Sequence, residues 1–396
     1  MLVPVPPAAI PTAEIPAADI PPADIPPAVR HADAVHHAIL ERVPFSRHLN
    51  PLNAPEARRA FLAGRSPAPP FRYQPLSDAE DLLRELDAAE PPRDHPAGAL
   101  VGACMDGTRL VIEAIRHRTE AAFDAMARAG GWYPDAELLA LRFPPGEEQD
   151  EPFDISAQTL VQHLGAALVA RGMDGWTIER DVVMAARVLV DGAKRLLRVN
   201  PDARFRSRDL ERLVVHEIDV HAWRTRNGSA QALRCFETGL PGSLATEEGL
   251  AMLAEQHAGL SAPGVMARQA EVVHAIDLGR RAGFRDVYQD LAWRVGPNLA
   301  WGICLRIKRG LARPDLPGVY AKDSVYLAGM HKVGGWLQAG GDLRHLYVGK
   351  VGIDDPVERW LEQGWVRLQP MPALWSAPPA PVSPPGSAGA SSGTPP

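Results

Sequence analysis

The sequence predicts a predominantly helical α+β fold with a small sheet, and three observations carry that prediction. Apolar residues recur with a helical period over 99–127, 155–171, 207–227, 246–259, 266–282 and 323–338. Strand-like runs at 186–190 and 194–199 flank Asp191-Gly192, a two-residue hairpin signal. Both ends of the 396-residue chain carry too much Pro to pack as helix or sheet.

Taken in order, residues 1–28 repeat an Ala-Asp-Ile-Pro-Pro-like pentad (Ala18-Asp19-Ile20-Pro21-Pro22, Ala23-Asp24-Ile25-Pro26-Pro27) and read as a disordered arm. Residues 29–96 form a helical leader, with helices over 30–48 and 77–90 separated by the Pro-rich stretch Pro67 to Pro75. A linker from Glu90 to Pro96 leads into the main domain, 97–368. Residues 369–396, rich in Pro, Ala, Ser and Gly, read as a second disordered tail.

Composition narrows the function classes. A net charge of -6, a pI near 6.1 and the lack of a basic cluster exclude nucleic acid as the main partner, because phosphate binding needs concentrated Lys and Arg. The expected partner is a peptide or protein. No apolar run approaches the roughly 18 residues of a membrane span, and the chain does not start like a secretory signal. A cytoplasmic protein with reduced thiols is expected, with Cys104 and Cys304 packing as small apolar residues.

The chemistry concentrates in His216-Glu217-Ile218-Asp219-Val220-His221 and in Glu248 of Thr246-Glu247-Glu248-Gly249-Leu250-Ala251. Two His and one Glu are a standard ligand set for catalytic zinc, which leaves a position open for water. Glu217, between the two His, is the expected general base. Five residues of regular helix turn a side chain about 140° away from its starting direction, too far for His216 and His221 to share an ion. Leu210, Leu213, Val214, Glu217, Ile218 and His221 lie on one stripe, so His216 is the residue out of phase. A one-residue widening of the helix between the two His, a π-bulge, restores the phase. Ser207 is expected to cap this helix, Asp209 to suit its positive end, and Asn227-Gly228 to stop it. Thr246 is expected to cap the second helix, after the Pro241-Gly242-Ser243 turn, so that Glu248 projects from its start.

The run His216 to Gly228, with Thr238-Gly239-Leu240 and Glu247-Glu248-Gly249-Leu250-Ala251, resembles the bacterial QEGLA-motif proteins, whose animal relatives are the microtubule-associated tyrosine carboxypeptidases. The resemblance extends to Pro69-Pro70-Phe71-Arg72-Tyr73, Arg309-Gly310 and Lys322-Asp323-Ser324-Val325-Tyr326-Leu327, and covers roughly 30–352. It implies a zincin-like metallopeptidase core in which His216, His221 and Glu248 bind one Zn2+ and Glu217 activates water. It also implies a carboxypeptidase, acting on a C-terminal and possibly aromatic residue. Such an enzyme needs a cation for the terminal carboxylate, for which Arg309 and Lys322 are candidates, and an oxyanion donor, for which Tyr326 is the candidate. Two residues depart from the family pattern: Asp219 stands where a small residue is common, and Glu247 replaces Gln. Both bring negative charge towards the metal, and Glu247 is an alternative ligand to Glu248.

Arg224 is expected to partner a carboxylate such as Asp219, and Lys194 to Val199 to be the edge strand that pairs with substrate backbone. The other His, at 36, 37, 117, 163, 257, 331 and 345, are expected to be surface or satisfied core residues. Two other readings keep the same motif: a non-catalytic metal-binding regulator of expression, and a zinc endopeptidase.

Overall fold

The computed structural model describes residues 24–144, 151–262 and 264–379, and helices dominate it. The leader supplies α1 (Pro27–Arg42) and α2 (Ala79–Ala88), and α3 (Pro96–His117) follows. Pro27 and Pro96 both start helices, where a missing N–H costs nothing. The single helix expected over 99–127 is broken. Arg118 ends α3 in the left-handed region at φ 53, and Thr119 caps α4 (Glu120–Ala129) by accepting from Ala122 N–H. Sequence gave no Gly to mark that break. The Arg118 guanidinium fixes it by donating to the carbonyls of His48, Gln74 and Gly310.

The rest of the chain runs α5 (Ala157–Ala170), a group of short strands, and then a long composite helix, α6, made of Ser207–Leu213, Val214–Ala222 and Trp223–Ser229. After it come α7 (Ser243–His257), α8 (Val265–Gly279), α9 (Phe284–Val295), α10 (Pro297–Lys308) and α11 (Val325–Gln338). Val29, Ala32, Ile39, Leu82, Leu86, Val101 and Met105 of the N-terminal helices share one core with Leu250, Leu253, Met330 and Val333 of α7 and α11. The leader is thus packed directly on the helices that carry the motifs. A second core joins α8, α9 and α10 through Ile276, Phe284, Leu291 and Trp301, with Phe61 of the leader inserted among them.

The packed chain starts earlier and ends later than the Pro content suggested. Ile25, placed in the 1–28 arm, is buried. Trp375, placed in the 369–396 tail, is buried too, and its indole N–H donates to Tyr347 Oη at 2.7 Å. Single large apolar side chains thus hold down Pro-rich segments at both ends. The rest of the two expected tails, 1–23 and 380–396, lies outside the described residues.

Two small sheets are present. β1 (Ile155–Ser156) pairs with β5 (Arg204–Phe205), and β2 (Thr177–Arg180), β4 (Leu196–Val199) and β3 (Val188–Asp191) form a second sheet in that order. β4 is parallel to β2 and antiparallel to β3, with Val188 opposite Val199 and Asp191 opposite Leu196. Asp191 therefore ends a strand instead of forming the turn, which is Gly192 to Arg195, closed by Arg195 N–H to Gly192 O at 3.0 Å. β4 is central and buried along its length, so the expected edge role of Lys194 to Val199 is wrong: β3 is the edge beside α6. Among the described residues no helix is long and apolar enough to cross a membrane.

Candidate metal centre and substrate cavity

Helix α6 is capped by the carboxylate of Asp209, which accepts from Arg206 N–H at 3.1 Å; the expected cap, Ser207, is already inside the helix. From Val214 to Ala222 the helix has π geometry. Bonds from i to i+5 widen the turn, so residues five apart return to the same face. The expected one-residue widening is present as a longer π stretch, and it aims His216 and His221 the same way. Their rings meet edge to face with centroids 4.9 Å apart. Asn227-Gly228 does not stop the helix, which continues to Ser229. Gly228 serves a close approach: a Cβ there would lie 2.1 Å from Phe236 O.

Helix α7 begins at Ser243, not at Thr246, and Thr246 Oγ1 instead accepts from Ile353 N–H at 3.0 Å. Glu248 accordingly stands in the second turn. Helix α7 packs backbone to backbone on α11, with Gly249 facing Gly329. That crossing sets Glu248 against the two imidazoles. Glu248 Oε2 lies 3.5 Å from His216 Nε2 and 3.5 Å from His221 Nε2, and this oxygen is buried without a hydrogen bond among the described residues. The candidate ligand atoms of His216, His221 and Glu248 all fall within 4.8 Å of one another. Tetrahedral zinc with ligands at about 2.0 to 2.1 Å separates neighbouring donors by roughly 3.4 Å, so the donor set fits that ion.

Glu247 and Glu255 are turned away from this point. Glu247 accepts from His221 Nδ1 at 2.8 Å and pairs with Arg224 at 3.2 Å and Lys350 at 3.0 Å. Glu255 accepts from His216 Nδ1 at 2.8 Å and from Arg212 at 2.8 Å. Burial works against charge on His216, but the carboxylates of Glu248, Glu255 and Glu217 around it raise its pKa to about 10. His221 is likewise raised, and burial fails to lift Glu248 because the two His hold it well below the usual carboxylate range. Arg224 is fully buried, and besides Glu247 it donates to the carbonyls of Leu346, Gly349 and Val351. Its expected partner, Asp219, is taken by Arg171 instead.

A cavity of about 770 Å³ opens over the metal-ligand candidates. Glu217 lines it beside His216 and His221, and edge strand β3 forms one wall. The candidates Arg309, Lys322 and Tyr326 all line it. The Arg309 guanidinium stacks 4.7 Å above the Tyr320 ring and lies 3.7 Å from Asp323. Lys322 makes no hydrogen bond or ion pair among the described residues, and Asp323, its neighbour in sequence, is bound by Arg306. Burial, with Glu248 nearby, pushes the Tyr326 phenol far up, so it stays a proton donor at neutral pH. Tyr326 is therefore part of the site wall and not only of a core stripe.

Sequence reasoning missed Arg212, Glu255, Arg306 and Lys350. Glu255 could have been found, since it falls seven residues, about two turns, after Glu248 and so on the same face of α7. Other His have partners elsewhere, as with His36 Nε2 and Thr108 Oγ1 at 2.8 Å or His331 Nε2 and Glu137 at 3.1 Å. All three Cys are buried and free.

A family model described as microtubule-associated tyrosine carboxypeptidase matches residues 59–376. Over 162 residues the chain is 32% identical to microtubule-associated tyrosine carboxypeptidase 1 of Rattus norvegicus, and equally to the proteins of that name from Mus musculus and Homo sapiens. Those alignments cover 39% of this chain and 34% of each relative, about a third of the relatives' length.

Proposed function

We propose that this chain, which belongs to the microtubule-associated tyrosine carboxypeptidase family, is a zinc-dependent carboxypeptidase that removes one residue from a peptide or protein C-terminus. The observation that supports it most is the convergence of His216, His221 and Glu248 on one point at the floor of a cavity, with Glu217 beside it. Zinc in such a set acidifies a water and polarises a carbonyl. Glu217 takes the proton from the attacking water and delivers it to the leaving amine. Tyr326 donates to the carbonyl oxygen as charge develops there. Substrate backbone pairs with β3, the free edge of the sheet on the cavity wall.

An exopeptidase also needs an uncommitted cation. Arg306 and Lys350 are paired with Asp323 and Glu247, and Arg309 lies near Asp323, whereas Lys322 lines the cavity with no hydrogen bond or ion pair among the described residues. Lys322, assisted by Arg309, receives the terminal carboxylate in this reading. The test is a library of peptides with free C-termini, incubated with the zinc-loaded chain and with Glu217→Gln and read by mass spectrometry. Loss of single C-terminal residues with the unaltered chain alone is the expected result. Cleavage of C-terminally amidated or internal bonds at equal rate would make it an endopeptidase, and equal activity of Glu217→Gln would remove the proposed base.

A further inference from the structure

We infer that Glu255 and Glu247 are the positioning residues of the metal centre, each fixing one histidine through Nδ1 so that both Nε2 atoms are presented to the metal. This rests on the zinc reading above and concerns groups that do not themselves touch the ion. Each carboxylate sits 2.8 Å from an Nδ1, while the Nε2 atoms face Glu248. A carboxylate can only accept, so each imidazole donates an Nδ1–H to its carboxylate and Nε2 is the nitrogen available to a metal. The opposite tautomer would set a lone pair against an anion and leave a protonated Nε2 where the metal belongs.

The carboxylates are themselves held. Glu255 is fixed by Arg212, and Glu247 by Arg224 and Lys350. Both are buried, and an unpaired buried carboxylate costs several kcal/mol, so these cations are a condition for the arrangement. Two helices carry nearly all of it. Along α6 the order is Arg212, His216, His221, Arg224, and along α7 it is Glu247, Glu248, Glu255. Helix α7 thus provides the third metal ligand and both positioning groups, and the crossing of two helices fixes the whole set at once. Lys350 alone comes from outside these helices, and it also lines the cavity.

Partners of this kind change metal affinity by about 10- to 100-fold when removed. The experiment measures zinc affinity by chelator competition for the unaltered chain, Glu255→Ala, Glu247→Ala and Glu247→Gln, and the histidine tautomers of the zinc-loaded unaltered chain by long-range 1H–15N spectra. The expected result is Nε2 ligation with a proton on Nδ1 for both His216 and His221. Zinc binding should weaken about 10- to 100-fold in each Ala variant and largely recover in Glu247→Gln, which keeps the acceptor. If an Ala variant fails to fold, the tautomer spectrum of the unaltered chain still decides. Ligation through Nδ1, or folded Ala variants with unchanged zinc affinity, overturns the inference alone; an unaltered chain that binds no zinc overturns the metal reading as well.

Discussion

Replacing Gly329 by Ala tests whether the helix crossing sets the metal site. A Cβ at Gly329 would lie 1.8 Å from Ala245 O and 2.9 Å from Gly249 N. Both neighbours are backbone atoms of α7, so no side chain can swing aside. Ordinary contact distance requires α7 and α11 to part by more than an ångström. Glu248, the residue before Gly249, moves with α7, whereas His216 and His221 stay with α6. Metal–ligand distances tolerate only about 0.2 Å. Overpacking of this kind costs roughly 1 to 3 kcal/mol, which as a loss of zinc affinity is about 5- to 150-fold. Urea unfolding and chelator competition read the two effects separately. Gly335, on the same helix but exposed and with open space around its Cβ position, is the control. Gly335→Ala should stabilise by up to about 1 kcal/mol through helix propensity and leave zinc affinity unchanged. A folded Gly329→Ala chain with unaltered zinc affinity would show that Glu248 does not depend on the crossing.

Other perturbations have equally direct readouts. Lys322→Met should lower kcat/KM on free C-termini by about 10- to 100-fold, the worth of one charge-assisted hydrogen bond, with zinc content unchanged; undiminished turnover would assign the carboxylate to Arg309. Trp375→Ala should cost about 3 kcal/mol or more in urea unfolding, whereas a solvated tail would give no change. His36 is buried beside His37 and Arg109, and burial first of all lowers its pKa to about 4. The unfolded chain then binds the extra proton between about pH 6.5 and 4, so stability present above 6.5 is lost as pH falls through that window, by up to about 3 kcal/mol. His36→Gln should flatten that part of the stability profile, and an unchanged slope would place the titration elsewhere.

What sequence showed and what it hid follow from the range of each interaction. The phase of His216 against the apolar stripe is local, so the π stretch could be read from spacing alone, although not its length. Residue type and spacing also brought out His216, Glu217, His221 and Glu248, because two imidazoles and carboxylates on buried helical positions are costly without a shared purpose. Caps were misread for a related reason. Ser207 and Thr246 have the right chemistry, but Asp209 outcompetes the first, and Ile353, more than a hundred residues away, claims the second. The β4 edge role failed because β2, the strand just before the β3–β4 hairpin, skips β3 and pairs in parallel with β4, which the hairpin signal does not announce. The charge partners of Arg224 and Arg306, Glu247 and Asp323, likewise lie on separate helical elements that only tertiary packing brings near.

The two departures from the family pattern illustrate how tertiary pairing decides the meaning of a charge. Read along the sequence, Asp219 and Glu247 each bring an anion to the metal and make Glu247 a rival ligand. In the fold, Asp219 is held by the bidentate Arg171 guanidinium and does not line the cavity. Glu247 is drawn away by Arg224 and Lys350, with its remaining reach spent on the far nitrogen of His221. A carboxylate between two cations and an Nδ1–H cannot also turn towards the Nε2 side. Glu248, by contrast, has an oxygen buried with no hydrogen bond among the described residues, aimed between both Nε2 atoms. The extra negative charge therefore binds to arginine and lysine and leaves the donor set as two imidazoles and one carboxylate. Substituting Lys350 by Met tests this division: with one cation removed, Glu247 remains tied to Arg224, and zinc affinity should fall less than in Glu247→Ala. A loss as large as that of Glu247→Ala would mean that Lys350, and not the buried Arg224, holds the carboxylate in place.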